Sequence, residues 1–536
     1  MTPARLPRRS RSPRLRSRSL RSVALVTAAG VFAVACSSGE SVLDSGNNNT
    51  DATTTGETTD VPASTADTEV TQPTEPSDPQ TADAPTTSAI PTTTVAPLAE
   101  LPDCPTDALD GADGVVEIVF WHGMTNELET ALIALTDEYN TSQDRVVVQL
   151  QNQTSYDNVA DNYISVSDSS RPVLVQLEES RLRSFADSGA VVPAGACLES
   201  SGFDTSAFVP RTLTAYQYEG IQWSMPFNVS NPILYYNRSI FEAAGLDPDD
   251  PPVSLDEVRA ASQAIVDSGA ASVGLVLDSG PGSGGGWFLE QWFGRVDEPY
   301  ADNGNGRIAP ATEVLFNSEL GVELTTFLQD MIADGLAMTV GDNPGGQDSF
   351  LKLADQTAPG AMTIGTSAAL GTVIATLGGG LIPGLTEDDF GTGPMPGPGD
   401  EPQVQVGGAS LWITDGKSDQ ETAAAWDYVT FLLQAESQSQ WAAATGYVPV
   451  RTDALDLDPL ATTYADDPRF AVAFDQLLSG GDDDLANAPV LGPQREVRGE
   501  TSRAMASIFN GEDPQTALDA AKQSSDALIA NYNERN

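Results

Sequence analysis

Residues 115–177 read VVEIVFWHGMTNELETALIALTDEYNTSQDRVVVQLQNQTSYDNVADNYISVSDSSRPVLVQL. Three apolar runs stand out: Val115 to Trp121, Arg145 to Leu150 and Pro172 to Leu177. Each is short and rich in β-branched residues, as a buried strand is. Between the first two, Leu128, Leu132, Leu135 and Tyr139 recur at helical spacing, which predicts a helix over 125–139. A second helix is predicted over 155–166. Strand, helix, strand, helix, strand in this order makes a parallel sheet with helices on both faces, an α/β fold. Ligands of such sheets sit beyond the carboxyl ends of the strands.

Toward the C-terminus, globular composition continues from about residue 105 to 536, more chain than one core usually holds, so two lobes are expected. A second unit begins after Pro226. Ser254-Leu-Asp-Glu257 is a capping box that opens a helix running to Gly269. Gly282 to Gly286 (GSGGG) reads as a flexible loop leading into Trp287-Phe-Leu-Glu-Gln-Trp292. No Gly-Lys-Ser/Thr follows it, so it is not a phosphate-cradling P-loop. Asp513-Pro514 supplies a cap and first residue for an amphipathic helix to about Asn531.

Toward the N-terminus, eight arginines lie between Arg5 and Arg21, followed by the apolar run Val23 to Ala35 and then Cys36. The apolar run is too short to span a bilayer, and basic, apolar and small residues in this order make a secretory signal over 1–35. Ala33-Val34-Ala35-Cys36 looks like a lipobox, although Leu is commoner than Ala at its first position. The expected outcome is cleavage before Cys36 and acylation of its thiol and amine, enough chains to hold a protein to a membrane. Arg8-Arg9 is followed by Ser-Arg-Ser, which does not complete a twin-arginine pattern, so the export route stays open. Residues 36–100 are mostly Thr, Ser, Pro, Asp and Ala and are expected to be a disordered tether, reaching on the order of 50 Å.

The whole chain has 26 basic and 76 acidic residues; without the eight signal arginines it keeps 18 basic residues and a net charge of −58. Such a body repels nucleic acid and anionic lipid surfaces, which excludes both as partners. Cys104 and Cys197 remain in the mature chain, and an even pair in an oxidising compartment reads as a disulfide. Two cysteines and the single His122 are too few for a zinc site, and His122 reads as packed or capping behind its strand. No nucleophile elbow, Cys-His arrangement, metal motif or dinucleotide fingerprint occurs, so neither an enzyme nor a cofactor is expected. A pair of carboxylates is inevitable in so acidic a chain and does not by itself point to a glycosidase. The Asp482–Asp484 run lacks calcium-loop spacing and reads as a solvated loop.

Residues 226–252 read PFNVSNPILYYNRSIFEAAGLDPDDPP; to these add Phe120-Trp-His-Gly-Met124, Gly407-Gly-Ala-Ser-Leu-Trp412 and Thr445-Gly-Tyr-Val-Pro449. Together they resemble the sn-glycerol-3-phosphate-binding proteins of ABC importers, within family 1 of the solute-binding proteins. The resemblance runs from about residue 115 to 530. It implies a two-lobed periplasmic-binding-protein-like fold (type II), each lobe a mostly parallel sheet flanked by helices, with solute held in the interlobe cleft. Crossings near Trp223–Asn228, Val404–Gly408 and Val450–Ala454 would divide the chain into lobe 1 (101–225 plus 409–451) and lobe 2 (226–408 plus 452–536).

The resemblance also implies a binding set. Tyr156 matches the family's cleft tyrosine, and Glu179 (with Glu178 the alternative) its acidic residue for the glycerol hydroxyls. Ser230 matches the serine of the crossing segment, and Thr366, beside Ser367, the second-lobe serine. Gly408 matches the glycine whose N–H meets the phosphate, Tyr447 the tyrosine of the TGYxP motif, and Arg498 the cleft arginine. An anion in so acidic a body needs local donors, so Arg498 is expected to be the charged anchor, with little role in folding. Glu179 would repel phosphate and is expected at the opposite end of the cleft. Where the family often has a tryptophan, this chain has Gly284, which implies a wider cleft. A glycerophosphodiester such as glycerophosphocholine is then a candidate beside glycerol 3-phosphate. The implied protein is a monomeric, lipid-anchored receptor on the outer face of the cell membrane, handing its solute to ABC permease subunits. An oligosaccharide receptor on the same fold is the alternative; it would show several exposed cleft aromatics.

Overall fold

In the computed structural model, residues 101–536 are described apart from 344–345, 383–384, 400–401 and 481–484. The predicted signal (1–35), Cys36, the tether (36–100) and the Asp482–Asp484 run lie outside the described residues.

The first sheet grows from the opening segment as its pattern requires. β1 (Val116–His122) pairs in parallel with β2 (Val146–Asn152) and with β3 (Leu174–Glu178). Between them run α1 (Asn126–Ser142), which buries Leu128, Leu132, Leu135 and Tyr139, and α2 (Tyr156–Ser165). The Ser155 side chain caps α2 by accepting the Asn158 N–H at 3.0 Å, satisfying one of the orphan donors of a helix start. β4 (Val191–Val192) and β5 (Met225–Ser230) complete the sheet through a later strand, named below.

The second sheet opens with β6 (Pro232–Asn237), one residue after β5 ends. The capping box at Ser254 and Glu257 is present and opens α3 (Leu255–Ser268), which Gly269 ends in a left-handed conformation. β7 (Val273–Leu277) follows, then α4 (Trp287–Arg295) and α5 (Glu319–Ala333). β8 (Ala337–Thr339), β9 (Gly360–Thr366) and β10 (Phe390–Pro394) give the order β8-β7-β9-β6-β10. The chain then returns to the first sheet as β11 (Gly407–Thr414), giving β2-β1-β3-β11-β4, with β5 paired to β11. α6 (Ala435–Thr445) packs against α1; α7 (Gln494–Phe509) and α8 (Pro514–Asn533) pack against each other and against α5.

Parallel pairing therefore holds within β2-β1-β3 and within β8-β7-β9. The expectation of mostly parallel sheets is corrected at the crossings: β11 runs antiparallel to β3, β4 and β5, and β6 antiparallel to β9 and β10. A strand that enters a sheet directly from the other lobe has no crossover helix to turn it parallel. The lobe divisions shift for the same reason. Residues 226–230 hydrogen-bond to β11 in the first sheet, so the chain reaches the second sheet at Pro232, not at 226. After α6, residues 452–466 still pack on that helix, and Val472–Leu478 is the segment that meets the second sheet. Asn231, fully buried between the two sheets, donates from Nδ2 to the Ala473 carbonyl at 2.9 Å and accepts from Gln476 Nε2 at 2.6 Å.

Cys104 and Cys197 form a disulfide that ties the start of the described chain to the helix Ala194–Ser201. It closes a loop with a sequence separation of 93, for which the chain-entropy view gives roughly 4–5 kcal/mol. Replacing both cysteines by serine should lower stability by up to that amount in denaturant titration. Unreduced, unfolded protein carrying Cys36→Ser should show no free thiol; two labelled thiols would contradict the pairing.

Candidate functional site

Tyr156 after β2, Glu178 and Glu179 at the end of β3, Asp278 after β7 and Thr366 at the end of β9 line one cleft between the two sheets. Seven of the eight expected binding residues line it: Tyr156, Glu179, Ser230, Thr366, Gly408, Tyr447 and Arg498. Glu178 lines it as well. Ser367 does not. It is 1 % exposed and turned to the crossing, where its N–H donates to the Asn231 carbonyl at 2.9 Å, so its expected ligand role is corrected to holding β6 against β9.

One hydrogen-bonded chain stands behind the first-lobe wall and ends in it at Tyr156 and Tyr447. The Gly123 N–H donates to Gln176 Oε1 (3.0 Å), Gln176 Nε2 to Asn228 Oδ1 (2.8 Å), and Asn228 Nδ2 to the Tyr156 hydroxyl (2.7 Å). Tyr156 in turn shares a 2.9 Å bond with the Tyr447 hydroxyl. Three strands, a helix start and the 445–449 loop are thus locked in one register, and the two phenols are held at the cleft wall. Gly408 sits at φ +91°, and a Cβ there would lie 2.1 Å from the Asn228 carbonyl oxygen. Only glycine allows β11 and β5 to approach so closely. His122 is 1 % exposed, and its Nδ1 accepts the Met124 N–H at 3.3 Å; burial pushes its pKa down to about 4. It is a neutral packed group.

The charged floor differs from expectation. Arg498, on α7, is 1 % exposed. Its Nε and Nη2 donate to the two oxygens of Glu290 at 2.8 and 2.7 Å, and Nη2 also donates to Glu179 at 2.8 Å. Nη1 takes no partner among the described residues. Glu179 is therefore not at the far end of the cleft from Arg498 but bonded to it. The physical reason is burial: a guanidinium this deep must be paired, and the acidic residue at the end of β3 is within reach. Burial pushes the Glu179 carboxyl up against the pull of Arg498, while both carboxylates hold Arg498 well above its ordinary value. The expectation that Arg498 has little role in folding is overturned with it.

Several site residues were not legible in the sequence. Glu290 lies inside α4 and is wholly buried, and nothing in its spacing marks it. Arg495, one turn before Arg498, lines the cleft and grips Asp157 with two bonds of 2.9 and 2.6 Å, while Arg181 reaches the same carboxylate at 3.3 Å. Asp278, at the end of β7, accepts from the N–H groups of Gly280 and Gly284 (3.1 and 3.0 Å) and from the Ser283 hydroxyl; burial pushes it up to about 6. It orders the glycine loop at the cleft edge. At Gly284 a Cβ would lie 2.1 Å from the Asp278 carbonyl oxygen, so no ring fits there. Trp287, three residues on, is one of the rings that line the cleft. Among the described residues, no group of three His, Cys, Asp or Glu is placed to hold a metal ion.

Comparison with known proteins agrees with this geometry. The family described as bacterial extracellular solute-binding protein matches residues 134–472. The sn-glycerol-3-phosphate-binding periplasmic protein UgpB of Rhizobium meliloti is 30% identical over 431 residues, 78% of this chain and 95% of that protein. Among solved structures, UgpB from Mycobacterium tuberculosis in complex with glycerophosphocholine superposes with a TM-score of 0.64 at 22% identity, covering 78% of this chain and 99% of that one. The cyclic alpha-maltosyl-1,6-maltose binding protein from Arthrobacter globiformis gives 0.63, also at 22% identity, over 78% of this chain and 100% of that one. With two sheets joined by crossing strands and a cleft between them, the chain belongs to the bacterial extracellular solute-binding protein family.

Proposed function

We propose that the protein is the lipid-anchored receptor of an ABC importer, capturing glycerol 3-phosphate or a glycerophosphodiester such as glycerophosphocholine outside the membrane and delivering it to the permease. The observation that carries this reading is the convergence in one cleft of Tyr156, Ser230, Thr366, Gly408, Tyr447 and Arg498. Hydroxyls, a backbone N–H and the open Nη1 of a guanidinium are the directional donors that phosphate oxygens need. Glu179, already accepting from Arg498, offers its second oxygen to vicinal hydroxyls. The names of the curated relatives and of the glycerophosphocholine-bound neighbour point the same way.

A sugar receptor is the second reading, supported by the maltosyl-maltose-binding neighbour of the same fold. Most rings in the cleft speak against it: Trp287, Phe288 and Tyr447 are 6, 4 and 3 % exposed, and only Tyr156 and Phe350 are partly open for a sugar to stack on.

Calorimetry with glycerol 3-phosphate, glycerophosphocholine and a maltodextrin decides between these. At least one glycerophosphate compound should bind and the maltodextrin should not; the reverse would establish the sugar receptor. Arg498→Ala should weaken glycerophosphate binding by one to two orders of magnitude, since a hydrogen bond to a charged group is worth roughly 1.5–3 kcal/mol. It should also lower stability by about 3–5 kcal/mol, because Glu290 and Glu179 lose a buried partner. Arg498→Lys should restore only part of both, a point charge being unable to span the fork. For the anchor, the intact mass of membrane-extracted protein should lack residues 1–35 and carry acyl chains on Cys36; a mass that includes the arginine-rich segment would contradict it.

A further inference from the structure

We propose that Glu290 sets the charge of the solute: as a fixed counter-ion behind Arg498, it makes the cleft favour a phosphodiester, with one negative charge, over a phosphomonoester with two. This rests on the glycerophosphate reading above and names the class of compound within it.

Every residue of α4 is buried, and Glu290 is 0 % exposed. It does not line the cleft, so no ligand displaces it. Its two oxygens hold Arg498 Nε and Nη2 at 2.8 and 2.7 Å, a side-on fork that fixes the guanidinium and cancels its charge as seen from the cleft. Glu179 then adds a second carboxylate on the same Nη2. The other cation of the wall is compensated by two carboxylates together: Arg495 shares Asp157 with Arg181, and Glu178 stands beside it. The lining itself carries two guanidiniums, Arg495 and Arg498, and three carboxylates, Glu178, Glu179 and Asp278, with Arg181, Asp157 and Glu290 paired to them behind it.

An anion can enter such a site only through hydrogen-bond donors, not through net field. Donors such as Gly408 N–H, Ser230, Thr366 and Tyr447 are neutral and serve either ester equally. The second charge of a monoester, present above a pKa near 6, finds no uncompensated cation and is repelled in a low-dielectric cleft. A diester never carries that charge. Removing the Glu290 charge leaves Arg498 with one carboxylate in place of two, so the penalty on the dianion should fall while the diester is little affected.

The test compares glycerol 3-phosphate with its methyl diester, which differs by one methyl group and one charge, by calorimetry at pH 8 on the mature protein. In the wild type the diester should bind at least tenfold tighter. Glu290→Gln, of the same size without the charge, should narrow that ratio by tenfold or more. Glu290→Asp, which keeps the charge and loses the fork geometry, should weaken both ligands together and leave the ratio intact; a purely positioning role would move both variants alike. The ratio is a property of folded molecules, and the wild-type arm stands without any variant. A wild type that prefers the monoester, or a Glu290→Gln ratio equal to wild type, would overturn the charge role and leave the glycerophosphate reading standing. Failure of both esters to bind wild type would overturn both.

Discussion

A full positive charge sits at Arg498 with 1 % of the residue exposed, and the two carboxylates of Glu290 and Glu179 are what make that tolerable. A guanidinium so far from water costs several kcal/mol unless its N–H groups are met by fixed acceptors. Glu290 comes from α4, Arg498 from α7, and Glu179 from the end of β3 in the other lobe. The pair of bonds therefore fixes two helices of the second lobe against each other and draws the first lobe onto them. Asp157 with Arg495 repeats the connection one helical turn away. Across the cleft the two lobes meet through these ion pairs, while behind it apolar packing runs on from one lobe to the other.

The crossing strands impose the complementary constraint. β5 leaves the first sheet at Ser230 and β6 enters the second at Pro232, so a single residue, Asn231, carries the chain between cores. Its side chain is satisfied on both sides by the segment that carries Ala473 and Gln476. Gly408 lets β11 lie against β5 where any side chain would strike the Asn228 carbonyl. The same glycine leaves its backbone at the cleft wall, so one absent Cβ serves both the sheet and the site.

Asp278 shows how a group on the cleft wall also builds the edge of that wall. Its carboxylate gathers two backbone N–H groups and a hydroxyl from the glycine loop, converting a run of residues with little intrinsic preference into an ordered edge. Trp287 follows that edge as the first residue of α4 and places its ring in the cleft. The loop reads as flexible in composition; the buried acceptor beneath it decides its course.

The sequence alone determined the α/β class, because hydrophobic spacing records which face of each strand and helix is buried: Leu128, Leu132, Leu135 and Tyr139 fall on one side of α1 as their period requires. It determined the helix starts at Ser155, Ser254 and Asp513, since capping is a bond between neighbours. Motif resemblance named seven residues that line the cleft, of which Thr366, Gly408, Tyr447 and Arg498 each stand beside a glycine. What tertiary structure decided was pairing across distance. Glu290 precedes Arg498 by 208 positions and Glu179 precedes it by 319, and no local period encodes which carboxylate meets which guanidinium. The antiparallel crossings, the inward turn of Ser367 and the place of Trp287 in the cleft wall have the same origin. Each is set by what occupies the neighbouring space once the two sheets have packed.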